Sequence, residues 1–392
     1  MPADARLIPM TPRERVLSLA AIIASTVGVG VSYGIGYPIT ALSFAQWGAP
    51  TWQTGLVGSA PALAVLLCLP FFPSFIARLG MVPAMSLGCV IVAACFLLMP
   101  LMPTPAAWLA LRFLMGAGLA LPWLVGETWI NSVTSEATRG RMLALYAIAL
   151  FIGFAAGPLV LERTGIDGWL PFAIGAGGIL VAVLPIVAAI RLAPAMPAHP
   201  ETSVIGAFAL APIAMLGGVV GGLLELGHFA MLPIYALQTG SPEPEALRLL
   251  SFFMIGGMVL QLPIGWLADR ASAFRVLFGA CVAFALFALL LPFSPSGWPR
   301  LAVVFLIGGI AIGFYTLALT YIGQRVQARD LAVANAAFLM SYQIGALIGP
   351  GVAGGAMQLW QPHGFVAAMV AAAIAGALAI RRLGRATAGR NG

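Results

Sequence analysis

Charged side chains are scarce in this chain of 392 residues. They make up 8% of it, against about 25% in a typical soluble domain, whereas hydrophobic residues make up 61%. Too few polar side chains remain to cover a water-facing surface, which excludes an ordinary soluble globule. The apolar runs are about 20 residues long, which suits membrane helices better than the ~10-residue alternating strands of a barrel. The composition therefore predicts an all-α integral membrane protein.

Lysine is absent, so all 19 basic residues are arginine and the net charge is +7. Apart from Arg112, which falls inside an apolar run, these arginines lie in short connections or near the chain ends, where they act as orientation signals, so we expect no nucleic-acid partner. The four cysteines all fall inside apolar runs, which argues against disulfides and metal ligands.

The motifs of ATP-driven and catalytic proteins are also missing. There is no phosphate-binding G-x-x-x-x-G-K-[ST] loop, and the 46 glycines form no nucleotide fingerprint. No metal-ligand cluster or soluble catalytic domain is present, so we expect neither an enzyme nor a metal or cofactor. An ion gradient, here taken to be protons, is the expected source of energy.

The apolar runs, divided at Pro, Gly and charged residues, predict twelve membrane helices. They cover residues 16–46, 52–74, 81–102, 105–133, 141–162, 168–191, 204–236, 244–267, 274–293, 297–324, 331–359 and 363–381. With the N-terminus inside, fifteen arginines fall on one face and only Arg163, Arg248 and Arg300 on the other. This asymmetry predicts a multi-pass protein with both termini in the cytoplasm.

Two motifs repeat at one fixed offset of 192 residues. The segment from Gly153 to Pro158 returns as Gly345 to Pro350, with Gly157 falling on Gly349, and Arg78 falls on Arg270. Repeats of this kind form the two halves of secondary transporters. We therefore predict six-helix bundles over 1–192 and 204–392, joined by a cytoplasmic linker over the proline-rich stretch 193–203.

Three short motifs in this frame are typical of one family. Gly265 to Arg270 reads G-x-L-A-D-R, Arg112 to Gly118 reads R-x-x-x-G-x-G, and Gly153 to Pro158 reads G-x-x-x-G-P. They resemble the motifs of the major facilitator superfamily. Residues 126–158, which include Glu127, Asn131, Arg139 and Arg141, look like the YcaD-like branch of its bacterial members.

The resemblance implies a fold of twelve helices in two pseudo-symmetric bundles, with substrate bound between them, and it implies gating roles for the motifs. Gly265 permits a tight turn and close helix contact, and Asp269 can face a helix N-terminus. The first-half copy keeps Arg78 and Gly80 but has Ala77 in place of the acid. The motif Gly153-x-x-x-Gly157-Pro158 is enriched in antiporters of the superfamily, although plain helix packing explains it equally well.

Only two acids lie deep within predicted helices, Glu127 in the fourth and Glu225 in the seventh. A buried carboxyl group disfavours its charged form and can exchange protons. We expect Glu225 to carry a coupling proton, with Glu127 as the second candidate. The rival role for Glu127 is an ion pair with Arg139 or Arg141. His228 lies one turn after Glu225 and is either a third proton carrier or a hydrogen-bonded structural residue.

Aromatic and polar residues on the first, fourth and tenth helices are substrate-site candidates, because the resemblance implies that these helices line the cavity, and polar residues on the eighth and eleventh helices are lesser candidates. Arg112 faces protein or water, or else extends to the membrane interface. The full set is Tyr33, Tyr37, Arg112, Trp123, Asn131, Gln261, Tyr315, Asn335 and Gln343. Tyr33 corresponds to Glu225 and Trp123 to Tyr315 at the repeat offset of 192.

Together these features predict a monomeric secondary transporter in a bacterial inner membrane that exports an amphiphilic or cationic small molecule by proton antiport. Two alternatives stay open. One is a proton symporter that imports a metabolite, with Arg112 attracting an anion. The other is a membrane sensor that has lost transport, which the change of the motif acid to Ala77 would favour.

Overall fold

The computed structural model describes residues 10–134, 136–194, 204–327 and 330–388. Twelve helices in these ranges are long and apolar enough to cross a membrane, which confirms the predicted all-α membrane fold. Counted by their backbone, the described ranges contain fifteen α-helices, because α3 and α9 are too short to cross a membrane and α7 and α8 together form one crossing. The helices are α1 (Pro12–Gln46), α2 (Thr51–Cys68), α3 (Phe72–Leu79), α4 (Met81–Leu98), α5 (Pro105–Val133), α6 (Glu136–Thr164), α7 (Leu170–Val181), α8 (Val183–Ala188), α9 (Val204–Ala207), α10 (Pro212–Gln238), α11 (Glu243–Arg270), α12 (Ala273–Leu290), α13 (Trp298–Arg325), α14 (Leu331–Leu359) and α15 (Gly364–Ala388).

Several predicted boundaries were wrong, and proline explains two of the errors. The second helix ends at Cys68 rather than at 74, because Pro70 and Pro73 interrupt it and a separate short helix, α3, follows. The seventh membrane helix begins at Pro212 rather than at 204, and only the four-residue α9 precedes it. Proline is favoured at the first position of a helix, which accounts for the later start.

The described residues group into two compact units. The first contains those of Met1–Gly36 and Leu67–His199, and the second those of Tyr37–Leu66 and Pro200–Gly392. The end of α1 and most of α2 therefore pack with the helices of the second half of the chain. The predicted linker 193–203 lies outside the described residues beyond Pro194, so a division at that point stays a prediction.

The repeat produces the same helix crossing in each unit. In the first, a Cβ atom on Gly153 of α6 would collide with the carbonyl oxygen of Val27 on α1. In the second, a Cβ atom on Gly345 of α14 would collide with the carbonyl oxygen of Val219 on α10. Val27 and Val219 are themselves 192 residues apart. The small residues of the repeated motif thus allow two backbones to approach closely.

Candidate functional site

In the second unit, Glu225 of α10 lies within hydrogen-bonding contact of α14. The carboxylate is 8% exposed, and its Oε2 atom accepts a hydrogen bond from the hydroxyl of Tyr342. Gly222, one turn earlier on α10, permits this contact, because a Cβ atom there would collide with the carbonyl oxygen of Tyr342. A buried carboxylate within a membrane helix is costly and usually functional, and here its partner is identified.

Aromatic rings surround the tyrosine that binds Glu225. The ring of Tyr315 on α13 lies 5.4 Å from that of Tyr342 and 5.0 Å from that of Phe338, both in edge-on geometry. Gln343 follows on α14 and is buried. A carboxylate beside aromatic rings suits the binding of a proton or of an organic cation.

Sequence reasoning missed Tyr342, although one signal was available. The repeated glycines fix the contact of α14 with α10, and Tyr342 lies one turn before Gly345. At the repeat offset of 192 it corresponds to Leu150, just as Glu225 corresponds to Tyr33. Both partners of the buried hydrogen bond are thus residues at which the two halves differ.

His228 lies in a different environment from Glu225. Its Nδ1 atom is 2.8 Å from the carbonyl oxygen of Leu224. Its ring stacks on Phe253 of α11 at 5.5 Å and meets the edges of Phe284 and Phe365, from α12 and α15. Glu225 instead meets α14, so these two residues, one turn apart on α10, have separate partners. These surroundings favour the structural alternative for His228.

In the first unit, Glu127 of α5 forms a second polar and aromatic cluster. Its Oε1 atom accepts a hydrogen bond of 2.7 Å from the indole Nε1 of Trp123, and the side chain is half-buried. Tyr146 of α6 occupies the space left by Gly126, since a Cβ atom there would lie 2.8 Å from the tyrosine hydroxyl oxygen.

The two clusters use equivalent positions of the repeat. Trp123 corresponds to Tyr315, and Tyr146 corresponds to Phe338, at the offset of 192. Each half therefore presents two aromatic rings, and the acid is contributed from α5 in one half and from α10 in the other.

The other residues predicted around Glu127 are less central. Asn131 and Arg141 are exposed, and the side chain of Arg139 lies outside the described residues. The proposed ion pair of Glu127 with either arginine therefore stays a prediction.

Arg112 of α5 is 2% exposed, so its guanidinium is enclosed by protein. It lies against α1 at Gly36, where a Cβ atom would be only 2.6 Å from the Nη1 atom of Arg112. Because Gly36 has no side chain, the guanidinium fits between the two helices. The cost of burying this charge makes Arg112 a functional candidate.

The remaining predicted residues of the substrate site are Tyr33, Tyr37, Gln261 and Asn335. Tyr33 packs on Phe154 with ring centres 5.2 Å apart, and Tyr37 packs on Phe229 at 4.9 Å. Gln261 is half-buried and Asn335 is exposed.

The motif at 265–270 and its first-half copy at 73–78 have different structures. In the second copy α11 remains helical through Arg270, whose guanidinium lies 4.2 Å above the ring of Trp266. The prediction of a tight turn at Gly265 was therefore wrong, although that glycine does meet Thr316 of α13. Asp269, expected in a loop, belongs to the last turn of the helix and is exposed.

In the first copy the helix is not continuous, because α2 ends at Cys68 before the motif begins. Pro73 occupies the position equivalent to Gly265, and the motif lies on the short helix α3. Arg78 is exposed, and Gly80 ends α3 with a φ of +93°, a conformation that favours glycine.

In the second unit the first turn of α2 is joined to the last turns of α14. The Thr51 amide donates a hydrogen bond of 2.9 Å to Oε1 of Gln358, and the Thr51 hydroxyl donates one of 2.8 Å to the Gly354 carbonyl. One turn further, a Cβ atom on Gly55 would collide with the carbonyl oxygen of Pro350. Pro350 of the repeated motif is thus part of this contact as well.

Among the residues that the structure describes, no group of three or more His, Cys, Asp or Glu side chains could hold a metal ion. The chemistry available at these two sites is that of single acids, buried at Glu225 and half-buried at Glu127, beside an aromatic hydroxyl and an indole group. Such groups can exchange a proton and attract a cation, but they offer no nucleophile–base pair.

Comparison with known proteins gives consistent matches over most of the chain. The family model described as Major Facilitator Superfamily matches residues 16–242 and 214–391. The chain is 28% identical over 340 residues to the uncharacterized MFS-type transporter YfkF of Bacillus subtilis, covering 85% of this chain and 86% of that protein. It is 26% identical over 350 residues to the uncharacterized MFS-type transporter YcaD of Salmonella enteritidis PT4, covering 88% and 89%.

Solved structures show the same fold at low identity. The nucleoside transporter NupG superposes with a TM-score of 0.75 at 16% identity, covering 93% of this chain and 98% of that one. A bacterial homologue of the human lysosomal transporter Spinster, in an inward-facing and unoccupied conformation, gives 0.70 at 16%, covering 95% and 98%.

Proposed function

The chain belongs to the major facilitator superfamily, and from this premise we propose that it exports an amphiphilic or cationic small molecule in exchange for protons. The predicted resemblance to the YcaD-like branch is confirmed by its curated relatives. The protein is a multi-pass membrane transporter of the bacterial superfamily type.

The observation that carries the proposal is the hydrogen bond from Tyr342 to Glu225. It joins α10 to α14 at a buried carboxylate, beside the aromatic rings of Tyr315 and Phe338. Protonation removes the negative charge to which the tyrosine hydroxyl donates. A proton on Glu225 therefore weakens the contact between these two helices, which couples proton binding to helix movement.

The same carboxylate favours a cationic substrate. An organic cation near Glu225 can replace the proton electrostatically, while the neighbouring rings contact its apolar surface and its charge. Competition between one proton and one cation at a single acid gives exchange, because the site holds either one or the other. Glu127, with Trp123 as its hydrogen-bond donor, is the second candidate for this role.

The remaining parts of the proposal are the expectations drawn from the sequence. The transporter works as a monomer in the bacterial inner membrane with both termini in the cytoplasm, and the proton gradient supplies the energy without a cofactor. The two halves alternate access to the substrate site. His228 serves a structural role, since its ring is enclosed by three phenylalanines.

Proton flux in proteoliposomes tests the coupling. Purified protein is reconstituted with a pH gradient, and the quench of quinacrine fluorescence is followed while a panel of organic cations is added. We expect at least one cation to release the quench with the unaltered protein but not with Glu225→Gln. Glu245→Gln, which alters an acid at the start of α11, is the matched control and should behave like the unaltered protein. Substrate-induced proton movement that persists in Glu225→Gln contradicts the assignment.

Accumulation in cells distinguishes export from import. An exporter lowers the cellular content of its substrate in expressing cells, whereas a symporter raises it. The same assay with Glu225→Gln should return the content to that of cells without the transporter. Ligand binding without any transport would instead support a membrane sensor.

A further inference from the structure

Glu127 of α5 has a carboxylate oxygen that a ligand can reach. Its Oε1 atom accepts the hydrogen bond from the indole of Trp123. Its Oε2 atom has no hydrogen bond within the part of the chain that the structure describes, and it is not among the fully enclosed side-chain atoms that lack one. A carboxylate can accept several hydrogen bonds. A ligand can therefore bind this half-buried side chain without breaking its bond to Trp123.

The neighbouring hydroxyl of Tyr146 is directed away from this acid. It lies beside the side chain of Thr26 on α1. The Thr26 hydroxyl donates its hydrogen to the carbonyl oxygen of Ile22, 2.8 Å away, so it can only accept one from Tyr146. Glu127 thus differs from Glu225, whose carboxylate accepts a hydrogen bond from a tyrosine hydroxyl. The ring of Tyr146, which is 7% exposed, forms a wall near Glu127.

Glu127 lies on the side of α5 that faces protein rather than lipid. At ~100° per residue it is ~20° around the helix from Gly116 and ~60° from Arg112, both of which are buried. Leu114, which is 48% exposed, lies ~140° away. The side of α5 that protein covers at Arg112 is therefore accessible further along, at Glu127, where a solute can reach it.

Position along the helix separates the two acids. Glu127 lies six residues, or ~9 Å, before the end of α5 at Val133. Glu225 lies 13 residues, or ~20 Å, from either end of α10. In the predicted orientation α5 ends at the cytoplasmic face. Glu127 is then near the side from which an exporter takes its substrate, whereas Glu225 is at the middle of its helix.

We propose that Trp123 and Glu127 form a loading site for the organic cation, which binds there before it competes with the proton at Glu225. The carboxylate attracts the charge, and the rings of Trp123 and Tyr146 contact the apolar part of the cation. This site deepens the function proposed above and rests on it for the direction of transport, but the binding itself requires no proton coupling. One acid captures the cation, and the other exchanges it for a proton.

Fluorine NMR of the full chain in detergent tests the site, with tryptophan replaced throughout by 5-fluorotryptophan and with benzyltrimethylammonium chloride as the probe. The Trp123 resonance is identified by its absence in Trp123→Phe. We expect the probe to shift this resonance. Glu127→Gln should weaken the binding measured there about tenfold or more, because the cation loses its charged partner. Glu245→Gln, which removes an acid at the start of α11, is the matched control and should leave the affinity unchanged.

The same titration identifies the acid that binds the probe. Glu225→Gln should leave the response at Trp123 unchanged, even though it abolishes proton movement. Loss of that response in Glu225→Gln would show that the probe binds at Glu225, and the loading site would be wrong. A Trp123 resonance that does not respond to the probe overturns the proposal as well. Unchanged affinity in Glu127→Gln also overturns it and favours the ion pair of Glu127 with Arg139 or Arg141.

A second variant decides the matter if Glu127→Gln does not fold. Asn131→Arg places a positive charge one turn from Glu127 at an exposed position, and it should weaken the same binding. Proton movement in proteoliposomes is a separate measurement. If Glu225→Gln retains proton movement while the Trp123 resonance responds as expected, the coupling assignment is wrong and the loading site stands.

Discussion

Replacing Gly345 by alanine tests whether the repeated motif holds each half together. The new Cβ atom would collide with the carbonyl oxygen of Val219 and lie 2.8 Å from the amide nitrogen of Leu223. Both are backbone atoms of α10, so neither can move without moving the helix. Overpacking costs about 1–3 kcal/mol, and the backbone contact places this site at the upper end. Alanine returns about 1 kcal/mol through its higher helix propensity.

The net expectation is a loss of about 2 kcal/mol in the free energy of unfolding. Gly355→Ala on the same helix is the matched control, because a Cβ atom there meets nothing within 4 Å. The control should be neutral or more stable. Equilibrium unfolding in denaturant, in the same detergent for every variant, measures the difference.

The equivalent pair in the first half should give the same result. Gly153→Ala meets the backbone of α1, whereas Gly177→Ala on α7 meets nothing within 4 Å. If Gly345→Ala and Gly153→Ala are as stable as their controls, the close crossing of the helices is not what the repeat provides.

Three further variants have distinct expected outcomes. Tyr342→Phe should lower substrate-induced proton movement about tenfold or more in proteoliposomes, because a hydrogen bond to a charged group contributes about 1.5–3 kcal/mol; undiminished movement would contradict the role of the hydroxyl. His228→Gln should lower the free energy of unfolding by about 1–3 kcal/mol, through lost packing against three phenylalanine rings, yet leave proton movement intact; loss of proton movement in a folded variant would return His228 to the coupling site. Gln358→Leu removes the acceptor of the Thr51 amide, so hydrogen exchange at that amide should become about fivefold faster or more, as expected for a bond of about 1 kcal/mol; an unchanged rate would show that the bond does not protect α2.

The sequence predicts the helices well because hydrophobic length and proline are local signals. The twelve membrane helices and the offset of 192 residues follow from it directly. The break after Cys68 was also readable, since Pro70 and Pro73 lie within four residues of one another in the sequence. The predicted end of the second helix was wrong because it followed the apolar run across these prolines.

Tertiary contacts explain what sequence reasoning missed. The partner of Glu225 comes from α14, 117 residues further along the chain, and no local pattern indicates which aromatic residue reaches it. The ring of His228 is enclosed by phenylalanines from three other helices, so its role depends on packing that spacing along α10 does not reveal. Repeat positions at which the halves differ are the useful signal, as Glu225 and Tyr342 both show.

Transport by Glu225→Gln in two modes is the most direct test of the account. Proteoliposomes are loaded with the cation that gives the largest proton signal with the unaltered protein. Uptake is then measured once by counterflow into these vesicles at equal pH, and once into vesicles without the cation, where a pH gradient is the only driving force. We predict that gradient-driven uptake disappears and that counterflow is weakened, because the variant has lost the carboxylate for which the proton and the cation compete. Gradient-driven uptake that equals that of the unaltered protein would contradict the assignment of the coupling proton to Glu225.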